Sequence, residues 1–219
     1  MSGMLLRVDG GPWREPAGSG YSSEAALQEI LAGHPALIPG LSSDAVVCRE
    51  FQSGVGPADL VAVDAEGSLT LVECKLAANP QVRREVIGQV LDYASRLWQM
   101  PIAEFDAKWT ARTKESPFTT LGDEHETIRA AVEANLRDSR FRIVLAVDAI
   151  NDDLRRIVEY LNAVTLPTTG IVAVEYLRVV DGAVEILTPR TYGEELADLK
   201  QAQDPGTRRK WSIDDYRAW

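Results

Sequence analysis

The sequence predicts an α/β fold in which helices flank a mixed central sheet, and three observations support this prediction. Short Val/Leu-rich runs, typical of buried strands, alternate with longer segments whose apolar residues have helical spacing. Two of these runs, residues 60–64 and 69–76, are separated by a short polar turn that contains Gly67, which predicts an antiparallel hairpin. The third observation is the order of elements, α-β-β-β-α-β with an α-β-β extension.

Each element is predicted from its local pattern. A helix is expected over residues 80–98, with a proline in its first turn and an apolar stripe. Asn151 and Asp152 cap a later helix, and Asp181-Gly182 marks a second hairpin. The remaining elements are a helix over 22–33 and strands near 45–51, 141–147, 171–179 and 183–187.

The length and composition predict one enzyme-sized globular domain. The chain has 219 residues, 45% hydrophobic and 26% charged, which is enough to bury a sizeable core. We expect an N-terminal strand or flexible segment over 1–20, a main domain over 21–190, and a linker with the start of a C-terminal helix over 191–219. Residues 101–140 are expected to be an insertion, with a Thr-, Lys- and Pro-rich loop followed by a helix. Because the chain ends on Trp219 without a helix cap, a further domain or a partner protein is expected to cover this tail.

The lack of a recognisable targeting signal and the placement of the cysteines predict a cytoplasmic protein. The sequence has no apolar run of about 18 residues, so no membrane association is expected, and its N-terminus lacks the apolar core of a signal peptide. Cys48 and Cys74 both fall within apolar strands, which favours buried, reduced thiols. The oligomeric state is left open by the sequence, with a homodimer as one alternative.

The most informative stretch is the predicted hairpin, because it carries charged residues on strands that are otherwise apolar. Side chains alternate along a strand, so Glu73 and Lys75 share one face with Leu71, while Cys74 lies on the other. Asp59, on the first strand, is expected to lie within reach of Glu73. Burying a polar group without a partner costs on the order of 2–7 kcal/mol, and burying an unpaired charge costs more. Two carboxylates that hold a divalent cation, with an ammonium beside them, make this burial tolerable and form a hydrolytic site.

The simpler interpretation of these residues is structural. In that case Asp59 ends a Gly-Pro turn, and Glu73 and Lys75 form an ion pair on an edge strand with no catalytic role. The next helix favours the catalytic interpretation, because Gln89 and Tyr93 are four residues apart and would lie on one helix face above the strand.

With these residues, the chain resembles the PD-(D/E)xK nuclease superfamily, which has the restriction-endonuclease-like fold. The matching motifs are GPAD ending in Asp59, ECK over 73–75, and the Gln89/Tyr93 pair, as in RecB-type and resolvase-like nucleases. Glu24, in the first helix, corresponds to the acidic residue that many members carry there. The resemblance is close over residues 21–98 and holds only in outline beyond them. The chain departs from the motif in having Pro57-Ala58 before Asp59 rather than proline alone.

The resemblance implies a phosphodiesterase that uses Mg²⁺ or Mn²⁺ and acts on nucleic acid, with DNA favoured over RNA. Asp59, Glu73 and the backbone carbonyl of Cys74 would hold the metal, and Glu24 would bind it through water or complete a second site. Lys75 would orient or deprotonate the attacking water, and Gln89 would hydrogen-bond near it. Tyr93 would brace Gln89.

The charge of the chain is the main objection to a nucleic-acid substrate. The formal net charge is −10, whereas duplex-binding proteins usually present a basic surface. Basic residues do cluster locally, although each cluster has a solvated surface as its simpler interpretation; these clusters are Arg83-Arg84, Lys108/Arg112/Lys114, Arg137/Arg140/Arg142, Arg155-Arg156 and Arg208-Arg209-Lys210. The alternatives are therefore a catalytically silent binding or assembly module with the same fold, an enzyme on another fold, and an interaction protein.

Overall fold

The computed structural model describes residues 5–7, 9–76, 82–122 and 124–202. Its core is a six-stranded mixed sheet flanked by helices, which is consistent with a restriction-endonuclease-like α/β fold. The strands are β1 Val46–Gln52, β2 Pro57–Val63, β3 Leu69–Lys75, β4 Phe141–Val147, β5 Gly170–Asp181 and β6 Val184–Tyr192. The helices are α1 Glu24–Gly33, α2 Val82–Leu97, α3 Ile102–Thr113, α4 Pro117–Thr120, α5 His125–Asp138, α6 Asp152–Val164 and α7 Glu194–Ala202, with a short 3₁₀ turn at Pro35–Leu37.

The strands lie in the sheet in chain order, from β1 to β6. Strands β1, β2 and β3 are antiparallel neighbours, β3, β4 and β5 run parallel, and β6 returns antiparallel to β5. Parallel neighbours require crossover connections, which the helices between β3 and β4 and between β4 and β5 provide. The carboxyl ends of β3, β4 and β5 therefore meet at one edge of the sheet.

The two faces of the sheet bury separate apolar clusters. Helices α2, α3, α5 and α6 cover one face, which includes Leu71 and Leu145. Helices α1 and α7 cover the other, which includes Val72 and Cys74. Leu71 and Val72 are neighbours on β3 but belong to different clusters, so the predicted alternation along this strand is confirmed.

Four regions differ from the sequence-based expectation or fall outside the description. Where a loop was expected after residue 101, α3 forms, because Phe105 and Trp109 are buried and Phe105 stacks 5.3 Å from Phe51 of β1. Where a linker was expected after residue 191, α7 forms and buries Ala197 against β5. The predicted final helix, in 203–219, lies outside the described residues, and so does the start of the 80–98 helix.

Helix α3 also closes one edge of the sheet. Lys108 Nζ donates to the Gln52 carbonyl at 3.0 Å, and Arg112 Nε donates to the Arg49 carbonyl at 3.1 Å. These carbonyls belong to β1, whose exposed backbone would otherwise be open to pairing with another chain. Two of the basic residues in the 108–114 cluster are thus engaged with the fold. Within the described residues, no helix is long and apolar enough to cross a membrane.

Candidate active site

The candidate site lies where the pairing between β2 and β3 stops. These strands pair from Val63↔Leu69 to Leu60↔Val72. Beyond that point, the Cys74 backbone N–H donates to Asp59 Oδ2 at 2.8 Å instead of to a strand carbonyl. The Asp59 side chain therefore lies between the two strands at the carboxyl end of β3.

Two carboxylates flank the Lys75 ammonium at this end of the sheet. Lys75 Nζ lies 3.3 Å from Glu73 Oε1 and 3.3 Å from Glu24 Oε2. Glu24 comes from the first turn of α1, on the opposite face of the sheet, and its Oε1 also accepts from the Leu76 N–H at 3.4 Å. The Glu73 side chain is only 2% exposed. The sequence-predicted Asp59, Glu73, Lys75 and Glu24 are thus brought together, although the roles assigned to them stay predictions.

Burial raises the pKa values of both strand carboxyls. For Glu73 the pKa rises to about 7, first because the group is desolvated and second because the negative charge of Asp59 lies close to it. Burial also raises the pKa of Asp59, against the opposing effect of the Cys74 hydrogen bond. Burial alone would lower the pKa of Lys75, but Glu73 and Glu24 outweigh this effect and raise it. The site therefore favours a firmly charged ammonium beside carboxyl groups that resist ionisation.

Gln28 is a site residue that the sequence analysis missed. It is the only buried polar residue described in α1, and its side chain lies close enough to Asp59 to lower the pKa of that carboxyl. Gln28 follows Glu24 by one helical turn, so the same face of α1 presents both residues to the end of β3. This i, i+4 spacing was the signal in the sequence that would have identified it.

Helix α2 brings Tyr93 next to the carboxylates. Burial, and then the charges of Glu73 and Asp59, raise the pKa of Tyr93, which keeps its hydroxyl protonated. A Cβ on Gly56 would lie 3.6 Å from this hydroxyl, so the loop before β2 passes directly beside it. Gln89 lies one turn earlier on α2, and its Oε1 is buried without a hydrogen-bond partner among the described residues.

The donor atoms at this site fit a hard divalent cation, although they do not form a complete ligand set. Among the described residues, no group of three or more His, Cys, Asp or Glu side chains is arranged to hold a metal. However, Glu73 Oε2 is buried with no hydrogen-bond partner in the described part of the chain, and Asp59 lies close enough to raise the Glu73 pKa. Oxygen ligands of this kind suit Mg²⁺ and Mn²⁺, and a cation would offset the repulsion between the two carboxylates.

Comparison with known proteins gives partial similarity to two bacterial endonucleases. The chain is 45% identical over 53 residues to endonuclease NucS of Frankia alni, which covers 24% of this chain and 23% of that protein. It is 42% identical over 77 residues to endonuclease NucS of a Parafrankia species, covering 34% of this chain and 31% of that protein. The chain thus spans about a quarter to a third of the length of these curated relatives. No family model and no solved structure matches it.

Proposed function

We propose that this chain is a metal-dependent nuclease that hydrolyses phosphodiester bonds in DNA. The observation that carries the proposal is the buried Glu73 carboxyl, which lies beside Asp59 and Lys75 and has one oxygen without a partner among the described residues. A purely structural ion pair would not need a second buried carboxylate next to it. The partial similarity to two proteins named endonucleases supports the same reaction class.

Asp59, Glu73 and the backbone carbonyl of Cys74 would hold Mg²⁺ or Mn²⁺. A cation held by these oxygens would supply Lewis-acid polarisation of the scissile phosphate and would lower the pKa of a bound water. The protein contributes the placement of these donors. Asp59 is held by the Cys74 N–H, so its orientation does not depend on the ligand.

Lys75, Gln89 and Tyr93 act on the substrate side of the site. The Lys75 ammonium stays charged and offsets the negative charge that builds on the phosphate oxygens during the reaction. The partnerless Gln89 Oε1 accepts a hydrogen bond from the attacking water and orients it. Tyr93 keeps its proton and braces this side of the site.

The decisive experiment is a cleavage assay on labelled single-stranded and duplex DNA with Mg²⁺ or Mn²⁺. Because Lys75 stabilises charge in the transition state, Lys75→Ala is expected to lower the cleavage rate by about 10²–10³-fold. Thermal melting of each variant shows whether it is folded. The matched control is Lys114→Ala, which removes an exposed lysine at the end of α3 and should cleave like wild type.

Equal cleavage by wild type and Lys75→Ala would place the activity elsewhere and contradict the proposal. Absence of cleavage by the folded wild-type chain with either metal would instead favour the catalytically silent binding module.

A further inference from the structure

A second concave surface lies on α6 and the end of β6, on the face of the sheet that α2 and α6 cover. It encloses about 710 Å³, within the range of about 300–1,000 Å³ that is usual for ligand sites. Its lining residues are Asp152, Arg155, Arg156, Glu159, Tyr160, Ala163 and Tyr192. The Arg155-Arg156 pair, one of the basic clusters in the sequence, therefore lines a shallow cavity that is widely open to solvent.

The cavity combines guanidinium groups with aromatic rings. The Arg155 guanidinium carbon lies 5.2 Å from the centre of the Tyr192 ring, and the Tyr192 hydroxyl donates to Glu159. Tyr160 is 65% exposed, and it follows Arg156 by one turn on the same side of α6. An exposed ring beside a cation is the surface on which a planar base stacks.

Strand register relates Tyr192, at the rim of this cavity, to the candidate active site. Glu73 of β3 pairs with Leu145 of β4, Leu145 with Ala173 of β5, and Ala173 with Tyr192 of β6. Glu73 and Tyr192 therefore occupy one row across the sheet, three strand spacings or about 14 Å apart. Leu145 and Ala173 are fully buried between them, so a strand that reaches both sites passes over the helices and needs at least about four nucleotides at 3.4 Å each.

The charges that line the cavity favour stacking over phosphate attraction. Arg155 and Arg156 are balanced by Asp152 and Glu159, so the net charge of the lining is close to zero. Affinity for a uniformly charged duplex backbone would therefore be small. The faces of bases are available only where a strand is unpaired, and base stacking depends little on charge.

We propose that this cavity binds an unpaired nucleotide of the substrate strand, with its base stacked on Tyr160 and its phosphates beside Arg155 and Arg156. The proposal rests on the proposed function in taking DNA as the ligand. It assigns to α6 the selection of DNA that has an unpaired segment next to the cleavage site.

The test measures binding of fluorescent oligothymidylate and of a blunt duplex in EDTA, where no metal-dependent cleavage occurs. Tyr160→Ala is expected to weaken oligothymidylate binding by about tenfold, within the range for one stacked base, and to leave duplex binding unchanged. Tyr160→Phe keeps the ring and should bind like wild type. Arg156→Glu should also weaken binding, with a difference that shrinks as salt increases, while the Tyr160→Ala difference persists.

Arg137→Glu is the matched charge control, because Arg137 is exposed on α5 and does not line the cavity. The inference is overturned if Tyr160→Ala binds oligothymidylate like wild type, if it loses duplex binding equally, or if the wild-type chain binds no oligothymidylate. It is also overturned if Arg137→Glu weakens binding as much as Arg156→Glu. The assay needs no cleavage, so a failure here is distinguishable from a failure of the proposed nuclease activity.

Discussion

The two ends of the β2–β3 hairpin both bury carboxylates but treat them differently. At the turn, Asp64 is 5% exposed, and its Oδ1 accepts from the Glu66 N–H at 3.0 Å and the Ser68 N–H at 2.7 Å. At the open end, Glu73 is 2% exposed, has one oxygen without a partner in the described residues, and has a raised pKa. Burial of an acid therefore does not by itself indicate a functional site. The feature that supports the proposed site is a buried acid with an unsatisfied oxygen and a second carboxylate beside it.

The difference follows from what each end presents to its carboxylate. The backbone amides of the turn point at the Asp64 carboxylate. Gly67, in the same turn, has a φ of +76°, and a Cβ at this position would lie 2.6 Å from Ala131 Cβ of α5. Asp64 therefore completes a tight turn that has no room for a ligand. The open end instead sets Glu73 against Asp59, with Lys75 as a neighbouring cation.

The largest expected difference between the two ends of the hairpin is a higher free energy of unfolding for Glu73→Gln. The pKa of Glu73 is 4.5 ordinarily and about 7 in the folded chain, so the folded state holds its proton more tightly than the unfolded state. The free energy of unfolding therefore falls as pH rises from about 4.5 to about 7. At about 1.4 kcal/mol per pKa unit, Glu73→Gln should be up to ~3 kcal/mol more stable than wild type above this range, without metal.

Chemical denaturation in chelator across this pH range checks the prediction. The difference between Glu73→Gln and wild type should grow with pH and vanish at the acidic end. Glu66→Gln, at an exposed position of the turn, is the matched control and should follow the wild-type curve. If Glu73→Gln gains no stability above neutral pH, Lys75 fully compensates the buried charge and the two ends of the hairpin are equivalent.

A second prediction concerns metal binding at the open end. Because a cation offsets the repulsion between Asp59 and Glu73, Mg²⁺ or Mn²⁺ should raise the melting temperature of wild type. The stabilisation is about 2.7 kcal/mol when the free metal is 100 times its Kd. Thermal melts in chelator and in metal check this, and Glu73→Gln should respond much less. An equal response of both proteins would place the metal at another site.

A smaller, purely structural effect is expected at the turn. Asp64→Ala leaves the Glu66 and Ser68 amides without their acceptor, which should lower the free energy of unfolding by about 2 kcal/mol. Cleavage per folded molecule and the response to metal should stay at wild-type levels, as measured by the same assays. A loss of cleavage by folded Asp64→Ala would show that the two ends of the hairpin are coupled and weaken the contrast drawn between them.

Much of the fold was predictable from sequence because local patterns decide it. The strands β2, β3 and β4 and the helices α1 and α2 were expected close to their observed bounds, and helices were also expected where α5 and α6 form. Helix α3 was not, because only Phe105 and Trp109 form its buried stripe, and Phe105 packs against Phe51 of the distant strand β1. Helix α7 was missed for a similar reason, since Ala197 is its one fully buried contact in the described part.

By itself, the sequence determined which hairpin residues share a face, because alternation along a strand is a property of the extended backbone. It therefore placed Glu73 and Lys75 together, and the helical spacing placed Gln89 with Tyr93. Only the tertiary structure decided that Gln28 reaches Asp59 from the other face and that Arg155 lies over Tyr192. These contacts join residues 31 and 37 positions apart in the chain, and packing between distant elements, which no local pattern encodes, brings them together.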